Sequence, residues 1–241
     1  MMNVYELVIS DKEEVSLDDI VLSTPNKVHV QSLIKEHRHG EALKKYGLTV
    51  NNKIMLMGSS GCGKTTTAKA IAHALKKPIL VVNLATIVSA RIGETSQNIK
   101  AIFDKAARDR AVLFLDEFDQ IGKARGEDDK DVGEMRRLVN TIIQLIDYYP
   151  ENSLLIAATN HDEIIDSALM RRFQVRMGFE MPSEAVLDGF YNTLLARFPE
   201  KFCDFKRKYE VSFAEAKDFA LTKVKEAIIQ ELEMEEIAIS N

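Results

Sequence analysis

The hydrophobic pattern changes period along the chain, and each change marks an element. Over residues 30–46, Val30, Leu33, Ile34, His37 and Leu43 fall near one face of a helix, and Gly47 suits its C-terminal stop. From residue 53 short apolar runs alternate with helical spacing. Residues 53–57 (KIMLM), 78–83 (PILVVN), 111–115 (AVLFL) and 154–158 (LLIAA) read as strands, and 65–75, 95–107 and 135–148 as the helices between them. Continuously apolar strands between helices predict a parallel sheet covered by helices on both faces, an α/β fold. The alternation stops near Pro182. Beyond it only helices are expected, over 185–198 and 212–233, the second with a stripe of Phe213, Ala216, Phe219, Ala220, Val224, Ala227, Ile228 and Leu232. The predicted division is an α/β core over residues 1–180, with 1–26 as a lead-in segment, and a small all-α domain over 181–241. The charged run at 127–131, flanked by Gly126 and Gly133, reads as a solvated loop.

Composition narrows the chemistry. The 241 residues suffice for a sizeable core, and 46% hydrophobic with 29% charged residues is ordinary for a globular chain. A net charge of −5 disfavours a non-specific grip on nucleic acid or anionic membrane. Cys62 and Cys203 lie far apart with no metal-binding spacing, so two free thiols in a reducing compartment are expected. His37 and His39 sit in a basic helical stretch without a further ligand and read as a solvated face. No run of eighteen apolar residues is present to span a bilayer, and residues 1–10 lack a secretory pattern, which makes the cytoplasm the expected location.

Two motifs carry chemistry. Gly58, Ser59, Ser60, Gly61, Cys62, Gly63, Lys64 and Thr65 fit G-x-x-x-x-G-K-[ST] in full, between an apolar strand and an amphipathic helix. A triphosphate needs several donors converging with no side chain in the way. Glycines let the backbone wrap closely with its N–H groups inward, and the helix start adds a favourable dipole. Lys64 is expected at the β and γ phosphates and the Thr65 hydroxyl on Mg²⁺, with Thr66 beside them. Downstream, Leu113, Phe114 and Leu115 run into Asp116 and Glu117. The first acid at such a strand end suits Mg²⁺, and the second can orient and polarise an attacking water.

With these motifs in place the chain resembles the AAA branch of the AAA+ ATPases over most of its length. Leu17, Asp18, Asp19 and Ile20 are similar to the family's segment at the adenine site, which implies contacts from Asp19 and Ile20. Residues 58–65 resemble the P-loop and 113–117 the Walker B strand. Residues 155–160 (LIAATN) resemble the strand bearing the sensor-1 asparagine, here Asn160, which the resemblance places opposite Glu117 across the attacking water. Residues 165–173 (IDSALMRRF) are similar to the end of the second region of homology, whose arginines reach the next subunit's nucleotide. Arg171 and Arg172 are adjacent, and the sequence leaves open which one acts. The tail resembles the family's lid domain, with Phe213 where glycine is common and no sensor-2 arginine.

The resemblance implies Mg²⁺-dependent ATP hydrolysis by a homo-oligomeric ring, hexameric by family habit, that remodels or unfolds a protein partner. Arg91 departs from the pattern, standing where the first pore loop has an aromatic residue, ahead of the matching Ile92 and Gly93. It leaves a second reading open, a nucleotide-gated scaffold that controls a separately encoded effector enzyme without threading.

Overall fold

The computed structural model describes residues 8–11, 13–89, 92–123 and 129–240. Their contacts divide the chain into two units. One comprises the residues up to Gly58 together with Lys64–Phe179, and the other Ser59–Gly63 with the residues from Glu180 onward.

The first unit is built on a six-stranded sheet. Its strands are β1 (Ile9–Asp11), β2 (Lys53–Gly58), β3 (Ile79–Asn83), β4 (Val112–Asp116), β5 (Leu154–Thr159) and β6 (Val175–Phe179), in the spatial order β1-β3-β4-β5-β2-β6. Five strands are parallel, and β1 joins antiparallel to β3 with Ile9 opposite Val81. The α/β fold expected from the apolar runs is the one observed.

Burial on both faces explains why those runs are continuous. Met55, Leu113, Leu115, Leu155 and Ala157 pack into one cluster with Ile99, Ile102 and Phe103 of helix Ile92–Arg108 and Leu138, Ile142 and Ile146 of helix Asp129–Asp147. Ile54, Leu56, Phe114 and Ile156 alternate with them along the same strands, so they point to the other face, and all are fully buried. Helix Lys64–Ala74, with Ala68 and Ile71 buried, lies against β4 and β5. Full burial of each large side chain contributes roughly 1.5–3 kcal/mol.

Two strands differ from the sequence expectation. Strand β6 is not an apolar run. It alternates, with Met177 and Phe179 buried and Arg176 and Gly178 exposed, as befits a strand at the edge of the sheet beside β2. Strand β1 is three residues long and leaves Ile9 67% exposed, so it carries little hydrophobic signal. The expected helix over 30–46 is two. Ser23 caps Thr24–Arg38 by accepting the Asn26 N–H, Pro25 sits in its first turn, and Gly40–Lys44 follows after a break at His39. His37 is not on a solvated face. It is half-buried with Nε2 3.0 Å from the Asn51 carbonyl, and burial pushes its pKa below the ordinary imidazole value. Helix Asp129–Asp147 takes up part of the charged run read as a loop, and Glu127 and Asp128 lie outside the described residues.

In the second unit, helices Glu184–Leu195 and Phe213–Ser240 enclose Leu187, Tyr191, Leu195, Val211, Ala216, Ala220 and Val224. Phe213, where the resemblance leads one to expect glycine, packs edge-on against Phe190 with ring centroids 5.1 Å apart. Ser212 and Glu215 form a capping box. The Glu215 carboxylate accepts from the Ser212 N–H and hydroxyl, both at 2.8 Å, and the Glu215 N–H donates back to Ser212 Oγ. These donors, the backbone one first, hold the Glu215 carboxyl below its ordinary value. A depressed folded pKa means that the contribution is present above the ordinary glutamate value of 4.5 and lost as pH falls through the folded one. Glu215→Ala is therefore expected to lower the denaturation midpoint of this unit at neutral pH, and the gap to wild type should close on acidification below pH 4.5. Urea titrations followed by circular dichroism across pH 3–7 would check it, and a pH-independent gap would contradict it.

Candidate functional site

Glycine is required where β2 gives way to the loop. Gly58 has φ +128°, and a Cβ there would lie 2.0 Å from the Phe179 carbonyl oxygen of β6. No side chain can be accommodated without parting the two strands. Gly61 has φ +73°, and a Cβ would meet Ser212 Oγ at 2.5 Å, while the Gly61 carbonyl accepts the Ala214 N–H at 3.2 Å. With Gly63 also at positive φ, the chain turns sharply and starts a helix at Lys64. Cys62 is a buried spacer, its thiol 3.7 Å from the Ser60 carbonyl and 3.6 Å from Met181 Sδ. Ser59, Ser60 and Thr66 are exposed.

Lys64, Thr65, Asp116 and Asn160 come together at the C-terminal edge of the sheet, where a parallel α/β architecture places its ligands. The register makes this possible. Met57 pairs with Thr159 and Leu115 with Ala157, so β2, β4 and β5 end side by side. Lys64 is 7% exposed, and its ammonium donates to the Gly58 carbonyl at 2.6 Å and to Asn160 Oδ1 at 2.7 Å. Thr65 Oγ1 lies 3.4 Å from Asp116 Oδ2. Glu117 follows at φ +54°, a left-handed conformation costing on the order of 1–3 kcal/mol in a non-glycine residue. Its neighbours hold that turn. The Glu117 N–H donates to Asp116 Oδ1 at 2.9 Å and the Phe118 N–H to the Ala158 carbonyl at 2.8 Å.

The arrangement supplies an ammonium, a hydroxyl beside a carboxylate, a second carboxylate and an exposed amide. These are hard oxygen donors and a point charge, a set that suits a phosphate chain with Mg²⁺. Among the described residues no group of three or more His, Cys, Asp or Glu is placed to hold a metal ion by itself. A cation here would need oxygens from a bound phosphate or from water, as Mg²⁺ commonly does.

The two arginines part company. Arg172 is held within the chain, with Nε 3.2 Å from Asp147 Oδ1, Nη2 3.4 Å from Asp147 Oδ2 and Nη1 donating to the Ala168 carbonyl at 2.7 Å. The Arg171 side chain is exposed, with no hydrogen bond or ion pair among the described residues. Phe173 anchors the segment, edge-on to Phe118 at 5.5 Å between ring centroids. Arg176 Nη2 caps helix Ser167–Met170 at the Met170 carbonyl, 2.8 Å away. Asp19 is exposed and caps its own turn. It accepts the Ser16 N–H at 3.0 Å while Ser16 Oγ takes the Asp18 N–H, and Ile20 follows as a half-buried C-cap. Arg91 lies outside the described residues.

One group behind the edge was not legible in the sequence. Asp119 is 2% exposed and accepts the hydroxyl of Thr159, itself 1% exposed, at 3.1 Å. The same hydroxyl accepts the His161 N–H at 2.9 Å. An aspartate after an apolar run reads as a turn residue until its donor, forty positions away, is seen.

Residues 54–181 match the family described as "ATPase family associated with various cellular activities (AAA)". An uncharacterized AAA family ATPase of Sinorhizobium fredii (strain NBRC 101917 / NGR234), y4kL, is 35% identical over 216 residues, an alignment covering 88% of this chain. The chain spans 65% of the length of that relative. With glycines at the turn that demands them and the lysine, hydroxyl and carboxylates at one sheet edge, within the matched residues, the chain belongs to the AAA family of ATPases.

Proposed function

We propose that the protein is an Mg²⁺-dependent ATPase that works as a homo-oligomeric ring, hexameric by the habit of its family, in which Arg171 of one copy completes the nucleotide site of the next. The observation that carries this reading is the meeting of Lys64, Thr65, Asp116 and Asn160 at the ends of β2, β4 and β5, with Glu117 next in the chain at positive φ. The loop from Gly58 to Gly63 would present backbone N–H groups to the phosphates, and Lys64 its charge to the β and γ oxygens. Thr65 and, directly or through water, Asp116 would hold Mg²⁺, which would supply neutralisation of phosphate charge. Glu117 polarises the attacking water and Asn160 orients it.

The contact between Lys64 and Asn160 bears on the order of events. Phosphate oxygens are better partners for an ammonium than an amide oxygen is. A nucleotide thus draws Lys64 away and frees Asn160 for the water. In phosphoryl transfer such positioning supplies most of the catalysis.

Work on a protein partner is the output this reading favours. Two free cysteines fit a reducing compartment, and no helix among the described residues is long and apolar enough to cross a membrane. Arg91, in place of a gripping aromatic, favours a second reading in which ATP assembles a scaffold that gates a separate effector without threading. Arg91→Tyr and Arg91→Ala separate the two. A scaffold keeps its cellular role in both variants, and a threading pore loses it in Arg91→Ala.

Turnover against protein concentration tests the ring. Specific activity should rise with concentration and fall by about 10³-fold or more in Arg171→Ala. Arg172→Ala should act first through the lost Asp147 pair, lowering thermal stability as well as turnover. Activity flat with concentration and indifferent to Arg171 would mean a self-contained site. Glu117→Gln is expected to lower kcat by roughly 10²-fold or more while ATP still binds. A retained kcat would remove Glu117 from the mechanism.

A further inference from the structure

Asn160 has an exposed side chain at the very end of β5, where backbone pairing stops. An amide in that place orients a water only if its backbone is fixed from behind. Residues on either side of it are so fixed, and by one hydroxyl. Thr159 Oγ1 accepts the N–H of His161, the residue after Asn160, and donates to Asp119 Oδ1. Asp119 lies three residues after Asp116, and Gln120 Nε2 donates to its other oxygen at 3.3 Å.

The chemistry of the pair decides which way the hydroxyl points. The His161 N–H can only donate, so it takes a lone pair of the hydroxyl, and the Thr159 proton goes to Asp119 Oδ1. With both side chains buried, Asp119→Ala takes away the acceptor of the Thr159 proton and lets the hydroxyl turn from the backbone it holds, and Thr159→Val takes away the acceptor of the His161 N–H. The same aspartate is joined covalently to the turn bearing Asp116 and Glu117, so the clamp ties the carboxylate end of β4 to the amide end of β5.

We propose that Asp119 is a positioning residue for ATP hydrolysis, fixing the direction of Asn160 through the Thr159 hydroxyl. The proposal rests on the reading of Asn160 as the water-orienting amide, and it adds the group that sets that amide. It predicts a loss in kcat with little change in nucleotide affinity, since the bond from Thr159 to Asp119 acts on the backbone around Asn160, whereas Lys64 and Thr65 are the groups proposed to hold the phosphates and the cation.

The test compares Thr159→Val, Thr159→Ser, Asp119→Ala and Asn160→Ala in the full chain. It measures kcat at saturating ATP, the Kd of a fluorescent ADP analogue and thermal melting. Thr159→Val and Asp119→Ala should lower kcat on the order of 100-fold, as misplacement of an orienting group does, with Kd within about threefold of wild type. Thr159→Ser keeps the hydroxyl and should recover most of the turnover. The Thr159→Val/Asp119→Ala double variant should be no slower than Asp119→Ala alone, because both changes break one linkage. Additive losses would overturn the proposal. So would Thr159→Ser failing as badly as Thr159→Val, or kcat, Kd and melting temperature declining together. Retained kcat in Thr159→Val with a collapse in Asn160→Ala would also overturn it. An unchanged kcat in Asn160→Ala would remove the reading of Asn160 itself, and this proposal with it.

Discussion

The parallel register of β2, β4 and β5 brings together groups that lie far apart in the chain. Lys64 follows the loop after β2, Asp116 is the last residue of β4, and Asn160 comes directly after β5. A slip of one residue in any pair would move that strand's terminal group along the edge and reverse the faces of its side chains. The cost of a slip is set by burial. Ile54, Met55, Leu56, Leu113, Phe114, Leu155 and Ile156 are all essentially inaccessible, so no strand can shift without dismantling two cores.

Backbone strain is concentrated where this edge meets the chemistry. Gly58 approaches Phe179 so closely that β2 and β6 can pair to the end of the sheet only without a side chain there. Glu117 occupies a left-handed conformation that a glutamate adopts at a cost, and it stays there because bonds from Glu117 and Phe118 fix the turn on both sides. The pattern is one of buried support behind and an exposed amide in front. Phe118, Asp119 and Thr159 are buried, whereas Asn160 is exposed.

The arginine pair shows the same division of labour. Arg172 spends its guanidinium on Asp147 and on the Ala168 carbonyl, which closes the short helix that presents Arg171. Phe173 buries itself against Phe118, next to Glu117. Thus the segment proposed to serve a neighbouring copy is braced against the turn that bears the carboxylates. Adjacent residues of one type have different surroundings, and only their partners tell them apart.

The sequence by itself determined the α/β class, the main parallel strands, the glycine loop with its lysine, and the acid pair at a strand end. These are local signals, since apolar period and turn chemistry are properties of neighbouring residues. Strands β1 and β6 were not legible, because one is short with an exposed isoleucine and the other alternates at the sheet's edge. The helix start at Asp129 was hidden by the charge of its first turn, and the half-burial of His37 by its basic neighbours. Tertiary structure alone decided that Arg172 is tied down and Arg171 free of partners among the described residues, that Lys64 meets Asn160, and that Asp119 is buried behind the site. Each depends on a partner distant in sequence, and a side chain's role in such a pair is fixed by where the fold puts the other half.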